Sequence, residues 1–235
     1  VEFSLLGAVL IAVAGLYGVL WWEAGRANAP DSTRDLWDMA LGAGIAGLLV
    51  GRVAAMIGDG TNPITHPGDL IILRSGVDTG FASLTALFVL AWLARRDLWR
   101  TLDALAPAAV AGLAAWHGSC LIRGSCLGTP TTLPWGLAQT GSEVARHPVE
   151  VYAALLLAAA AVGLIALKYR RRPAGVVAGL ALAATGLVRL ATEPLRPVIG
   201  AGPEIWYVAA LGAGLGFTIG SVVRARRGEG GRYPA

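Results

Sequence analysis

The sequence predicts an all-α, polytopic integral membrane protein of about seven transmembrane helices, one membrane domain over residues 1–235. Three observations carry this prediction. The chain is 55% hydrophobic and only 14% charged, whereas soluble domains carry roughly a quarter of charged residues. Apolar runs near the roughly 20 residues needed to cross a bilayer core recur along its whole length. The segments between them are short, polar and punctuated by Gly and Pro, which leaves no room for a soluble domain.

Taken in order, the spans fall at about 4–22, 37–57, 76–94, 102–122, 149–167, 175–195 and 205–223. The first has only Glu2 before it and so lacks a basic leader. Ala27-Asn28-Ala29 looks like a cleavage site, but Pro30 follows it; the first span is read as a retained helix, with a cleaved signal peptide as the alternative. Gly7, Gly15 and Gly18 in span one, and Gly42, Gly44, Gly47 and Gly51 in span two, offer small-residue faces for close helix packing. Span three opens on Asp78 and Thr79, span four ends near His117, and span five is entered through Arg146, His147 and Glu150. Span six carries Arg189 and Glu193. Only the loops at 58–75 and 123–148 are long. The halves do not repeat one another, which counts against an inverted-repeat transporter.

Orientation follows from the loop cations. Arg26, Arg34, Arg95, Arg96, Arg100, Lys168, Arg170, Arg171, Arg172, Arg224, Arg226, Arg227 and Arg232 fall on one side; Arg74, Arg123, Arg146 and Arg196 fall on the other. The N-terminus is therefore expected outside and the C-terminus in the cytoplasm. The net charge of +4 reflects this bias and attraction to anionic lipid headgroups, so no nucleic-acid partner is inferred.

With this topology the ionisable residues of five spans share the depth of the outer leaflet: Arg52, Asp78, His117, Glu150 with Arg146 and His147, and the Arg189–Arg196 segment. Intramembrane ionisable residues mark functional sites by default. Arg189, Glu193 and Arg196 are spaced i, i+4, i+7, within about 60° of one helical face. One Glu between two Arg leaves one cation for a ligand, and Pro194 is positioned to kink the helix there. The bland alternative is a self-neutralising ion-pair ladder. A guanidinium fork matches phosphate bidentately and stays charged when buried; a phospholipid headgroup is the amphiphile that carries phosphate at this depth.

Other polar residues keep two readings each. His117 is a buried imidazole or a helix-end cap. Glu150 and Tyr152 are site residues or, respectively, a cap and an interface anchor. His66 is read as solvated. Cys120 and Cys126 form a disulfide at the outer face or are small packing residues, and two cysteines without a histidine cluster are a poor metal site. Gly124-Ser125 with His147 suggests a serine–histidine membrane protease, but Cys126 follows the serine and Pro148 follows the histidine.

The motifs together resemble those of the prolipoprotein diacylglyceryl transferase family of bacterial inner membranes. The resemblance rests on Cys120-Leu-Ile-Arg-Gly-Ser-Cys-Leu-Gly128-Thr-Pro130, Leu133-Pro-Trp-Gly136, Arg146-His-Pro148 with Tyr152, and Arg189-x-x-x-Glu193-x-x-Arg196. Asp103, Ala106-Pro107, Tyr17-Gly18 and Gly51-Arg52 also fit. Five positions depart: His117 stands where the family signature has Arg, Ser119 where it has Gly, Ser125 at its acidic position, Thr79 where the family has a histidine, and Glu150 where its Arg-His-Pro-x-Gln-x-Tyr motif has Gln.

The resemblance implies transfer of diacylglyceryl from phosphatidylglycerol to the thiol of a lipobox cysteine in a prolipoprotein signal peptide, with membrane lipids as the surroundings and no metal or other cofactor. It implies catalytic roles for Arg189 on the phosphate, Glu193 orienting it and His117 taking the thiol proton. It implies substrate-binding roles for Arg52, Arg146, Tyr152, Arg196 and Gly128. A non-catalytic relative that binds phospholipid or lipoprotein, and a headgroup transferase with another acceptor, are the alternatives.

Overall fold

The computed structural model describes residues 2–24, 33–70, 76–124, 126–138, 142–170, 172–197 and 204–228. The possible cleavage site at 27–29, and Arg26, Arg74, Ser125, Arg171 and Arg232, lie outside them. The helices are α1 (Glu2–Ala24), α2 (Thr33–Gly58), α3 (Thr79–Leu93), α4 (Leu98–Gly118), the single turn α5 (Cys120–Arg123), α6 (Val149–Lys168), α7 (Val176–Thr192) and α8 (Glu204–Arg226). Among the described residues, six helices are long and apolar enough to cross a membrane, at the places expected for spans one, two and four to seven. Helix α3, the expected third span, has 15 residues, about 22 Å at 1.5 Å per residue. It is shorter because Asp78 caps it, accepting from the backbone N–H of Gly80 and Phe81. Asp78, expected among the polar groups of the site, is thus a helix cap.

The chain forms two compact units. One holds α2 and α3; the other holds α1 and the chain from Leu102 onward. In the first, α3 lies so close to α2 that a Cβ on Gly47 would stand 2.6 Å from the carbonyl oxygen of Ala82. Arg52 is 2% exposed, and its Nη1 donates to the carbonyl of Gly76 at 2.8 Å.

In the second unit, α4, α6 and α7 share a core of Val110, Ala114, Ala153, Leu157, Ala161 and Val177. Alanine at several of these positions lets the helices approach without a hydrophobic driving force between them. Helices α7 and α8 also approach closely: a Cβ on Gly186 would meet the carbonyl oxygen of Tyr207 and the amide of Leu211, both at 2.7 Å. Of the glycines expected to pack, Gly15 meets α4 and Gly47 and Gly51 meet α3. A side chain on Gly7, Gly18 or Gly44 would instead enter open space, with no neighbouring atom within 4 Å of its Cβ. The outward faces carry Leu10, Trp21, Leu155, Val162 and Leu187, all exposed, as lipid-facing residues are.

Polar residues lock the end of α4 away from His117. Lys168 donates to Glu23 Oε2 and to the carbonyl of Ala104, each at 2.9 Å. Asp103 is 1% exposed and accepts from the N–H of Gly175 and of Ala178, each at 2.7 Å. Helix α7 has glycine at its own N-cap, with φ of 95° and no side-chain cap, so α4 supplies the missing acceptor. Asp103→Ala is expected to destabilise the protein by about 2–3 kcal/mol, since hydrogen bonds to a charged group and a cap are both lost. Asp103→Asn, which keeps one of the two accepting oxygens, should lose less; thermal unfolding in detergent checks the order.

The long loop after α5 contains a small antiparallel sheet that the all-α reading did not contain. Strands β1 (Leu127–Pro130), β2 (Leu137–Ala138) and β3 (Ala145–Pro148) lie in the order β1-β3-β2, with Arg146 on the central strand opposite Pro130 on one side and Leu137 on the other.

Candidate active site

Helix ends of the second unit supply the site. Helix α4 brings His117 in its last turn, 7% exposed. Helix α6 brings Glu150 in its first turn, and α7 brings Arg189 in its last. After Thr192 the α-helix tightens into a 3₁₀ turn over Glu193–Leu195 that contains Pro194, and Arg196 follows with extended backbone. The three residues expected on one continuous helical face therefore span a helix end: Pro194 cannot continue the hydrogen-bond ladder, and the break redirects Arg196.

Glu150 gathers these groups. Its Oε2 meets Nδ1 of His117 and its Oε1 meets Nη2 of Arg196; Nη1 of Arg189 stands 3.8 Å from the same Oε2. Glu193, expected to pair with an arginine, does so with Nε of Arg196 at 3.8 Å. Arg189 donates through Nη2 to the hydroxyl of Tyr207 at 2.9 Å and lies with its Cζ 5.1 Å from the Tyr207 ring centroid. Its Nη1 is buried and has no hydrogen-bond acceptor among the described residues. A buried donor left in this state is costly unless an acceptor arrives.

The excess of positive charge expected from two Arg and one Glu is smaller at the cluster itself, where Glu150 adds a second carboxylate. A third guanidinium restores it: Arg123, whose charge acts on His117 along with those of Arg189 and Arg196. The Arg123 Cζ lies 5.1 Å from the ring centroid of Trp116, a cation–π contact that suits a weakly hydrated cation. Cys120 and Cys126 are joined in a disulfide that closes the Arg123 turn, settling the two readings of that pair.

Of the remaining expected site residues, Arg146, Gly128 and Tyr152 lie in the same compact unit as the cluster. Arg146 Nη1 donates to the carbonyl of Gly128 at 3.2 Å, tying β3 to β1. Gly128 is buried, and a Cβ there would stand 2.2 Å from Val149 Cγ2 and 2.4 Å from the carbonyl of Leu195, so its lack of a side chain lets β1 slide between the start of α6 and the turn after α7. Tyr152 accepts from Nε1 of Trp135 at 2.8 Å and lies 3.4 Å from Nδ1 of His147. His66 is exposed, next to the hydroxyl of Thr65 at 2.9 Å. Arg52 belongs to the other compact unit.

Sequence reasoning gave no definite role to Glu150, Arg123 or Tyr207. For Glu150 the signal was present: a carboxylate in the first turn of a membrane span requires a partner, but the same position suits an acid favoured by the helix dipole.

Residues 5–224 match the family described as prolipoprotein diacylglyceryl transferase. The chain belongs to that family. Among family members, the phosphatidylglycerol–prolipoprotein diacylglyceryl transferase of Cupriavidus pinatubonensis is 31% identical over 204 residues, covering 80% of this chain and 73% of the relative. The like-named proteins of Cupriavidus metallidurans and Mannheimia succiniciproducens are 31% and 30% identical, each covering 80% of this chain and 74% of the relative. This diacylglyceryl transferase-family chain is an integral membrane protein, and its motif residues from Cys120 to Arg196 fall within the matched region.

Proposed function

We propose that the chain transfers the diacylglyceryl group of phosphatidylglycerol to the thiol of a lipobox cysteine in a prolipoprotein, in the bacterial inner membrane, with its N-terminus outside and its C-terminus in the cytoplasm. The observation that carries this is the buried, unsatisfied Nη1 of Arg189 beside a buried imidazole in a member of this family. A C-terminal reporter fusion active only in the cytoplasm checks the orientation.

The chemistry assigned to the site is a displacement. The thiol proton passes to Nε2 of His117; the sulfur forms a bond to the glyceryl carbon as the carbon–oxygen bond to phosphate breaks, and glycerol phosphate leaves. Arg189 holds two phosphate oxygens and stabilises the charge that grows on them. Glu193, whose ion pair is with Arg196, is assigned to orienting Arg189, and Arg196 adds positive field at the outlet. Arg146, Tyr152 and Gly128 are assigned to substrate binding, Gly128 by fixing the backbone of β1. An apolar cavity of about 430 Å³, lined by Val19, Ala111, Ala115, Ala154 and Ala158, supports a lipid substrate. It begins one turn along α6 from Glu150, and its walls are alanine and branched aliphatic side chains that suit an acyl chain.

Lipidation of a prolipoprotein in reconstituted vesicles, followed by gel shift, tests the proposal. Transfer is expected with phosphatidylglycerol and not with phosphatidylethanolamine as the only lipid. The replacement of a family arginine by His117, and of a family histidine by Thr79, favours a second reading in which the chain binds phospholipid without turnover. Absence of transfer together with phosphatidylglycerol binding that Arg189→Lys abolishes would establish that reading instead.

A further inference from the structure

We infer that Glu150 is the positioning residue for His117: its carboxylate holds the imidazole by Nδ1 and turns the unprotonated Nε2 toward the acceptor thiol. This role rests on the transferase reading given above.

Both carboxylate oxygens of Glu150 are engaged, one by His117 and the other by Arg196, so the group has no freedom to rotate. The His117 ring makes no other hydrogen bond among the described residues, and the two side chains are 8% and 20% exposed. An ionised carboxylate only accepts hydrogen bonds. The ring nitrogen it meets must therefore carry the proton, which leaves the lone pair on Nε2. That is the tautomer a base needs, and the adjacent carboxylate then stabilises the imidazolium formed when Nε2 takes the thiol proton. The imidazolium proton is later released to water, and Nδ1 keeps its own throughout.

Glu150 has a second effect through the same oxygen. Arg189 Nη1 lies 3.8 Å from it, so one carboxylate sets the spacing between the imidazole that receives a proton and the guanidinium that faces phosphate. Neither the spacing of residues within span six nor the local sequence around His117 provides such a link.

The test is a double-mutant cycle read in single-turnover transfer from phosphatidylglycerol in vesicles. Glu150→Gln keeps the size of the side chain and removes its charge. It is expected to lower the rate on the order of 10²-fold, with KM for phosphatidylglycerol nearly unchanged. The same substitution in a His117→Ala background should cost much less, because the imidazole it positions is gone and only its contacts with Arg189 and Arg196 remain. Imidazole ¹⁵N spectra should show His117 protonated at Nδ1 in the wild type and a mixture of tautomers in Glu150→Gln. Equal losses in both backgrounds, an unchanged tautomer, or a loss carried by KM would overturn the role and leave Glu150 as a structural counter-charge. If Glu150→Gln is not recovered folded, Glu150→Asp keeps the charge one methylene short of the ring and should show the same split between rate and KM. A wild-type chain that transfers nothing overturns the transferase reading and this role together, a result distinct from an active wild type with multiplicative losses.

Discussion

Arg189→Lys is expected to lose roughly 10²–10³ of the transfer rate, the usual cost of one transition-state donor, although the positive charge is retained. Arg189 performs two tasks with one planar group. Its Nη2 is committed to the Tyr207 hydroxyl and its face lies over the Tyr207 ring, while Nη1 remains buried without an acceptor among the described residues. A lysine ammonium is a compact, strongly hydrated charge. It can occupy the Tyr207 position or the phosphate position, but it cannot present a fork to two phosphate oxygens while stacked on a ring. Single-turnover transfer should show the loss, and an unchanged thermal unfolding midpoint would place it on chemistry rather than folding. Retention of most activity by the lysine variant would mean that bidentate geometry is not used.

His117→Ala is expected to lower transfer by about 10²–10⁴-fold, the range typical of removing a positioned general base. His117→Arg separates two explanations for such a loss. An arginine cannot accept a proton at working pH, so it should be nearly as inactive as alanine if the imidazole is the base. If His117 acts only through positive charge, His117→Arg should match or exceed the wild type. Beside Glu150 an arginine finds a ready counter-ion, so folding is not expected to obscure the comparison.

The membrane fold was legible because long apolar runs and loop cations are local signals. Six helices fall where these signals put them, and α3 is short because Asp78 begins it two residues inside the expected span. The small sheet was not legible: strands of two to four residues, two of them ending in Pro, give no period that distinguishes them from a loop. The site was half legible. Arg189, Glu193 and Arg196 announced themselves by spacing, and Pro194 correctly marked a break. What joins them does not lie in span six. Arg196 meets a carboxylate 46 residues away, and His117 meets the same carboxylate 33 residues away. No spacing rule encodes a partner that tertiary packing brings in from another helix. Tyr207, 18 residues beyond Arg189, was hidden for the same reason.

The close contact of α7 with α8 makes the missing methyl group of Gly186 a gauge for the chemistry. Tyr207, which holds Arg189, has its carbonyl where the first atom of any side chain at position 186 would have to go. An alanine there would push the tyrosine's backbone outward, and the guanidinium bonded to its hydroxyl would follow or be released. A position one turn from the reacting groups, and with no functional atom of its own, is thereby closed to drift. Mutational tolerance in this protein should follow interhelical clearance as much as distance from the substrate.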